Sequence, residues 1–193
     1  MLITDYLFEN VKPIWDAYLE HDFIMDMGNG NLCKDKFKDY LIQDYLYLKE
    51  YAKVYAMALV KCENIEQMKF CQNSINGILE DESATHIWYL KNFGEKIEEL
   101  EDYKIKEANE NYTSYMKSIA LTGDLLDTMV SVLPCAWSYY YIGKKLKETY
   151  KENLEDNFYK SWIESYSCEG YEQVARTSIE FVNTLSENID ENK

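Results

Sequence analysis

Only two prolines and seven glycines interrupt 193 residues, which leaves few places to break a helix. Histidine is as scarce as proline. With only His21 and His86 available, a histidine-rich metal centre is not expected. The five cysteines, Cys33, Cys62, Cys71, Cys135 and Cys168, are odd in number and never spaced as CxxC. That argues against a disulfide framework or a structural zinc site and predicts a reducing, cytoplasmic setting. Basic residues are outnumbered 20 to 35 by acidic ones, for a net charge of -15. A chain so acidic is poorly suited to neutralise nucleic-acid phosphates or to dock on an anionic membrane surface. The opening MLITDYLFEN has no basic-then-apolar leader pattern, and no apolar run approaches the roughly 20 residues that cross a bilayer.

What the chain does have is apolar and aromatic mass, 47% and 15% of its residues, with 18 tyrosines. That is enough for one domain with a substantial core. The periodicity is helical throughout, with no alternating, strand-like block. It predicts helices over 2–21, 34–61, 65–93, 108–121, 124–149, 154–166 and 169–188, an all-α, single-domain protein. Gly28-Asn29-Gly30-Asn31 reads as a loop, Gly94 as a helix end, and Gly123-Asp124 as a turn followed by an N-cap.

Polar groups interrupt the apolar stripes at three places. Between 34 and 61 one face runs Phe37, Tyr40, Leu41, Asp44, Tyr47, Leu48, Tyr51, Tyr55. A carboxylate in that stripe needs a partner. Either a tyrosine hydroxyl, from Tyr40 or Tyr47, satisfies Asp44, or Asp44 faces a pocket and binds a polar ligand. A second stripe, Met68, Cys71, Ile75, Leu79, Glu82, His86, Tyr89, Phe93, carries an acid and an imidazole four apart. They can form a core pair or contribute metal ligands, and the helical positions supply no matching set of further ligands. Third is VLPCAWSYYY, 132–141. Pro134 cannot donate to the carbonyl of Val130, so the helix bends there. Cys135 and Tyr139 share a face, leaving open an inert packing thiol or an oriented, reactive one. Tyr112 (with Tyr115, Met116 and Ile119) and Tyr166 (with Phe158, Trp162 and Ile163) sit on faces that serve either as core or as walls for a flat heteroaromatic ring.

Four segments, FKDYLIQDYLYLKEYAKVYA, LEDESATHIWYLKNFG, NYTSYMKSIALTGDLLDTMVSVLPCAWSYYYIGKKL and FYKSWIESYSCEGYEQVA, together resemble the TenA/thiaminase II family. The combination of PCxxxY, a preceding YTxYM and a following WIxxY carries the resemblance over nearly the whole chain. It implies a haem-oxygenase-like helical fold without haem or other cofactor, assembled as a homotetramer around a small-molecule pyrimidine substrate. The implied activity is hydrolysis of 4-amino-5-aminomethyl-2-methylpyrimidine to the hydroxymethyl pyrimidine, and of thiamin at the same methylene, in thiamin salvage. Cys135 then matches the nucleophile and Tyr47 the residue that raises its nucleophilicity. Asp44, Tyr139 and Tyr166 match substrate-holding positions, and Tyr112 matches a pocket tyrosine.

The family's final helix carries a motif similar to YExxFW, whose glutamate donates a proton. Here the sequence closes on SENIDENK, and neither Glu187 nor Glu191 fits that motif. The expectation is a single domain over 1–193 that lacks this last helix in the chain as given. The alternative is a pyrimidine- or thiamin-binding protein of the same fold with impaired turnover.

Overall fold

The computed structural model describes residues 1–187, apart from the side chains of 81–83. Every regular element among the described residues is helical: α1 (Ile3–Leu19), α2 (Asp22–Asn29), α3 (Lys34–Leu59), α4 (Ile65–Asn76), a π turn (Gly77–Glu82), α5 (Ser83–Asn92), a 3-10 turn (Ile97–Asp102), α6 (Glu107–Thr122), α7 (Leu125–Thr149), α8 (Lys160–Ser167) and α9 (Glu169–Ser186). The all-α reading holds. Several helix starts carry local side-chain caps. Asn64 Oδ1 accepts from the Gln67 amide at 3.0 Å to start α4. Asp124 and Asp127 exchange side chain-to-amide bonds of 2.9 Å in both directions to start α7, a reciprocal box that satisfies two otherwise orphaned N–H groups. His21 is spent in the same way, its Nδ1 accepting from the Phe23 amide at 3.1 Å to open α2.

The contacts divide the chain into two compact units, one of residues 33–132 and one of residues 1–32 with those from Leu133 on. In the first, α3 is the central element and packs on α4, α5 and α6. Its inward face is the stripe read from the sequence: Phe37, Leu41, Asp44, Tyr47, Leu48, Tyr51 and Tyr55 are all buried. Burying that many large side chains is the main stabilising term, at about 1.5–3 kcal/mol for each fully buried aliphatic or phenyl group. Gln43 anchors the segment leading to α6. Its Nε2 donates to the Lys104 carbonyl at 3.0 Å and its Oε1 accepts from the Lys106 amide at 2.8 Å. Glu50, half-withdrawn from solvent, holds Lys117 of α6 at 2.7 Å.

In the second unit α1 packs on α9 through Thr4, whose hydroxyl donates to Asn183 Oδ1 at 2.9 Å. Phe8 of α1 stacks on Trp137 of α7 with centroids 5.2 Å apart, and Trp15 meets the same indole edge-on at 5.5 Å. Asn157 closes the unit, its Nδ2 donating 2.9 Å bonds to the carbonyls of both Met27 and Gly28.

Two expected helix boundaries are corrected, and the loop read at Gly28-Asn29-Gly30-Asn31 begins only at Gly30, because α2 runs through Asn29. The helix read over 65–93 is two helices joined by a π turn. A π turn holds more residues than an α turn, and within it Leu79 is exposed while Ile78 is buried. Beyond it His86 and Tyr89 keep the buried side that the stripe gave them, and Leu90 joins them. The helix read over 154–166 begins only at Lys160. Asn157 and Tyr159 there are committed to α2 and to the Leu32 carbonyl instead of to a helical turn. Finally, α2 and the 3-10 turn were not expected, since each is shorter than the window on which periodicity is legible.

Candidate active site

Asp44 is 7% exposed in the middle of the α3 tyrosine face. Its partner across the unit is His86 of α5, with Nε2 2.9 Å from Asp44 Oδ2. Tyr40, one turn earlier on α3, donates to the same oxygen at 3.2 Å. The tyrosine expected to satisfy Asp44 is thus present, and the imidazole joins it. The expected Glu82–His86 pair involves a side chain outside the described residues.

Tyr47 sits one turn further along α3, between two aromatic neighbours. Its ring stacks on Tyr51 at 5.3 Å and lies nearly parallel, at 4°, to Tyr112 of α6 at 5.8 Å. Its hydroxyl points to the Met116 sulfur, 4.0 Å away. Tyr112 is 37% exposed, so it lies at the margin of the core. The tyrosine ladder extends to Tyr51, which donates at 3.0 Å to the carbonyl of Val132, two residues before Pro134. Tyr47, Tyr51 and Tyr112 therefore form one stacked group, and Asp44 lies one turn before Tyr47 on the same buried face of α3.

Cys135, Tyr139 and Tyr166 fall in the other unit. Cys135 is 6% exposed on α7, directly after Pro134, which lies inside the helix without ending it. Tyr139, one turn on, is 4.7 Å from the ring of Tyr166 and 6.0 Å from that of Trp162, both on α8. Tyr171 of α9 closes edge-on over Tyr166 at 4.8 Å. Two of the three consecutive tyrosines serve elsewhere: Tyr140 accepts from Lys144 at 2.9 Å, and Tyr141 donates to Asp16.

The other four cysteines are of two kinds. Cys33 and Cys168 are exposed, and none of the five is in a disulfide. Cys62 and Cys71 face each other with sulfurs 3.7 Å apart. Burial pushes the Cys62 thiol up, and burial together with the Cys62 neighbour pushes Cys71 up to about 12. These two thiols are held in the protonated, poorly nucleophilic form.

Gly143 was missed in the sequence and governs this second group. A Cβ built there would lie 2.8 Å from Tyr166 Cβ and 2.9 Å from the Tyr166 carbonyl carbon. Its signal was a glycine inside an otherwise strong helix, where it costs about 1 kcal/mol against alanine and is kept only for close approach. Gly143→Ala should push α8 from α7, costing about 1–3 kcal/mol as overpacking and displacing Tyr166. Thermal denaturation should show Tm lowered by several degrees. An unchanged Tm would mean that the backbones separate without strain.

Among the described residues no group of three His, Cys, Asp or Glu is arranged to hold a metal ion. No described helix is long and apolar enough to cross a membrane.

Among the described residues the scaffold is all-helical, with a stacked tyrosine group in one unit and a second tyrosine cluster in the other. The chain belongs to the TENA/THI-4/PQQC family, which it matches over residues 8–193. It is 35% identical over 186 residues to an aminopyrimidine aminohydrolase of Helicobacter pylori, an alignment covering 96% of this chain and 85% of that protein. Against an aminopyrimidine aminohydrolase of Halalkalibacterium halodurans the identity is 37% over 178 residues, covering 92% and 79%. Among solved structures, a TenA family transcription regulator from Silicibacter sp. TM1040 superposes with a TM-score of 0.85 at 27% identity, covering 98% of this chain and 83% of that one.

Proposed function

We propose that this chain is an aminopyrimidine aminohydrolase of thiamin salvage, working in the cytoplasm as a homotetramer of single-domain subunits. It hydrolyses 4-amino-5-aminomethyl-2-methylpyrimidine to the hydroxymethyl pyrimidine and ammonia, and cleaves thiamin at the same methylene to that pyrimidine and the thiazole. The observation that carries the reading is the 35–37% identity to aminopyrimidine aminohydrolases over more than nine-tenths of the chain.

In this reading the Cys135 sulfur adds to the pyrimidine ring. Addition removes aromaticity, so the electron pair gained by the ring expels the amine, or the thiazole, from the exocyclic carbon. Water then adds to the resulting methylene, and departure of the sulfur restores the ring. Asp44 accepts from the amino group of the pyrimidine, Tyr47 promotes the thiol, and Tyr112, Tyr139 and Tyr166 hold the ring. The stacked Tyr47–Tyr112 pair and the Tyr139–Tyr166 pair support a flat substrate. Light scattering on the eluted protein measures the assembly state.

The direct test supplies the aminomethyl pyrimidine to the purified protein and follows hydroxymethyl pyrimidine and ammonia. Both should appear in equal amounts. Absence of both at enzyme concentrations comparable to substrate would remove the enzymatic assignment.

A further inference from the structure

We infer that His86 is a positioning residue for Asp44, fixing the carboxylate that receives the pyrimidine amino group; the inference rests on the function proposed above. His86 is 1% exposed, and the nitrogen it presents to Asp44 is Nε2, at 2.9 Å. An imidazole nitrogen at that distance from a carboxylate oxygen carries a proton and donates it. The Tyr40 hydroxyl donates to the same atom, Oδ2, at 3.2 Å. Two donors from different helices, α5 and α3, therefore converge on one oxygen and leave the carboxylate no rotation about Cβ–Cγ that keeps both bonds. A ligand group addressing Asp44 meets an acceptor whose direction is already set, which spares the ordering cost at binding.

The surroundings give this pair its rigidity. Tyr40 packs edge-on to the His86 ring at 6.4 Å and against Phe37 at 5.9 Å. Phe37 in turn meets Tyr89, three residues after His86 on α5, edge-on at 5.0 Å. Both Phe37 and Tyr89 are fully buried. His86 enters this group immediately after the π turn, and such turns are frequent beside functional sites because they reset which side chain faces the neighbouring helix. A purely structural tie between α3 and α5 needs only an apolar contact. A buried imidazole with its donor on the one carboxylate of the stripe does more than tie.

The test compares three variants by steady-state kinetics on the aminomethyl pyrimidine and by calorimetry with the hydroxymethyl pyrimidine. His86→Leu removes the donor and should raise KM and weaken pyrimidine binding about ten- to a hundredfold, with kcat changed far less. His86→Gln places an amide donor near the Nε2 position and should recover most of the affinity, whereas His86→Asn, too short to reach, should not. In an Asp44→Ala background the three should become equivalent, because the group they position is gone. Equal KM and affinity for the wild type and His86→Leu would overturn the inference. If His86→Leu does not fold, equal affinities for His86→Gln and His86→Asn overturn it instead. A wild-type protein that neither binds nor converts the pyrimidine would count against the proposed function, an outcome distinct from either.

Discussion

Cys135→Ser should abolish release of hydroxymethyl pyrimidine, lowering kcat by about a thousandfold or more, while leaving the fold and pyrimidine binding intact. The substitution keeps the size of a side chain that is 6% exposed within α7, so no cavity opens and Tm should stay within a few degrees. What changes is the nucleophile. A cysteine is partly thiolate at neutral pH, whereas a serine hydroxyl needs a dedicated base to attack at all. No other thiol in the chain is placed to substitute. Cys62 and Cys71 are turned to one another and held protonated by burial, and Cys33 and Cys168 lie on the surface. Cys168→Ser should therefore match the wild type in rate, and it should keep the cap on α9, where serine is a favoured N-cap residue. The pair of rates is read in one assay of product formation against time. A Cys135→Ser protein that kept its rate within about threefold would end the covalent mechanism, whatever the function of the chain.

The parts of this molecule that sequence could reveal are those governed by local spacing. The α3 stripe was legible because seven of its eight positions are buried at steps of three and four. Asp44 stood out as the polar exception, and Tyr40 as a partner because residues four apart on a helix share a face. The Asp124 cap was legible for the same reason, since its bonds span three residues. His86 as the partner of Asp44 was not legible. The two are on different helices, and spacing along one helix shows that His86 faces inward but not which side chain of a neighbouring helix it meets. The start of α8 was hidden for a related reason. The groups of Asn157 and Tyr159 serve partners 127–130 residues earlier in the chain, and nothing in their neighbourhood announces it. The roles of Cys135, Tyr139 and Tyr166 came from resemblance alone, because a buried thiol and a packed tyrosine have the same spacing whether or not they touch a substrate.

Asp44→Asn and Asp44→Ala should separate what this carboxylate does for the fold from what it does for the ligand. Asparagine has nearly the same shape, and its one carbonyl oxygen can accept from both His86 Nε2 and Tyr40 Oη, the bonds now made at 2.9 and 3.2 Å. Holding those donors turns the amide nitrogen to the position of Oδ1. A pyrimidine amino group that needs an acceptor then meets a donor. A site built to hydrogen-bond one group and offering the wrong partner loses on the order of 10⁴-fold in discrimination, and about a hundredfold or more in kcat/KM is expected here because the stacked tyrosines still hold the ring. Stability should change little, since the His86 and Tyr40 donors keep their acceptor. Alanine behaves differently. It leaves an imidazole and a phenol unsatisfied among buried aromatics, at about 1–3 kcal/mol for each buried group, and Tm should fall by several degrees along with the activity. Calorimetry with the hydroxymethyl pyrimidine and a melting curve for each variant decide the matter. If Asp44→Asn melts like the wild type yet binds the pyrimidine as tightly, Asp44 is a core residue joined to His86, and the amino group of the substrate is read elsewhere.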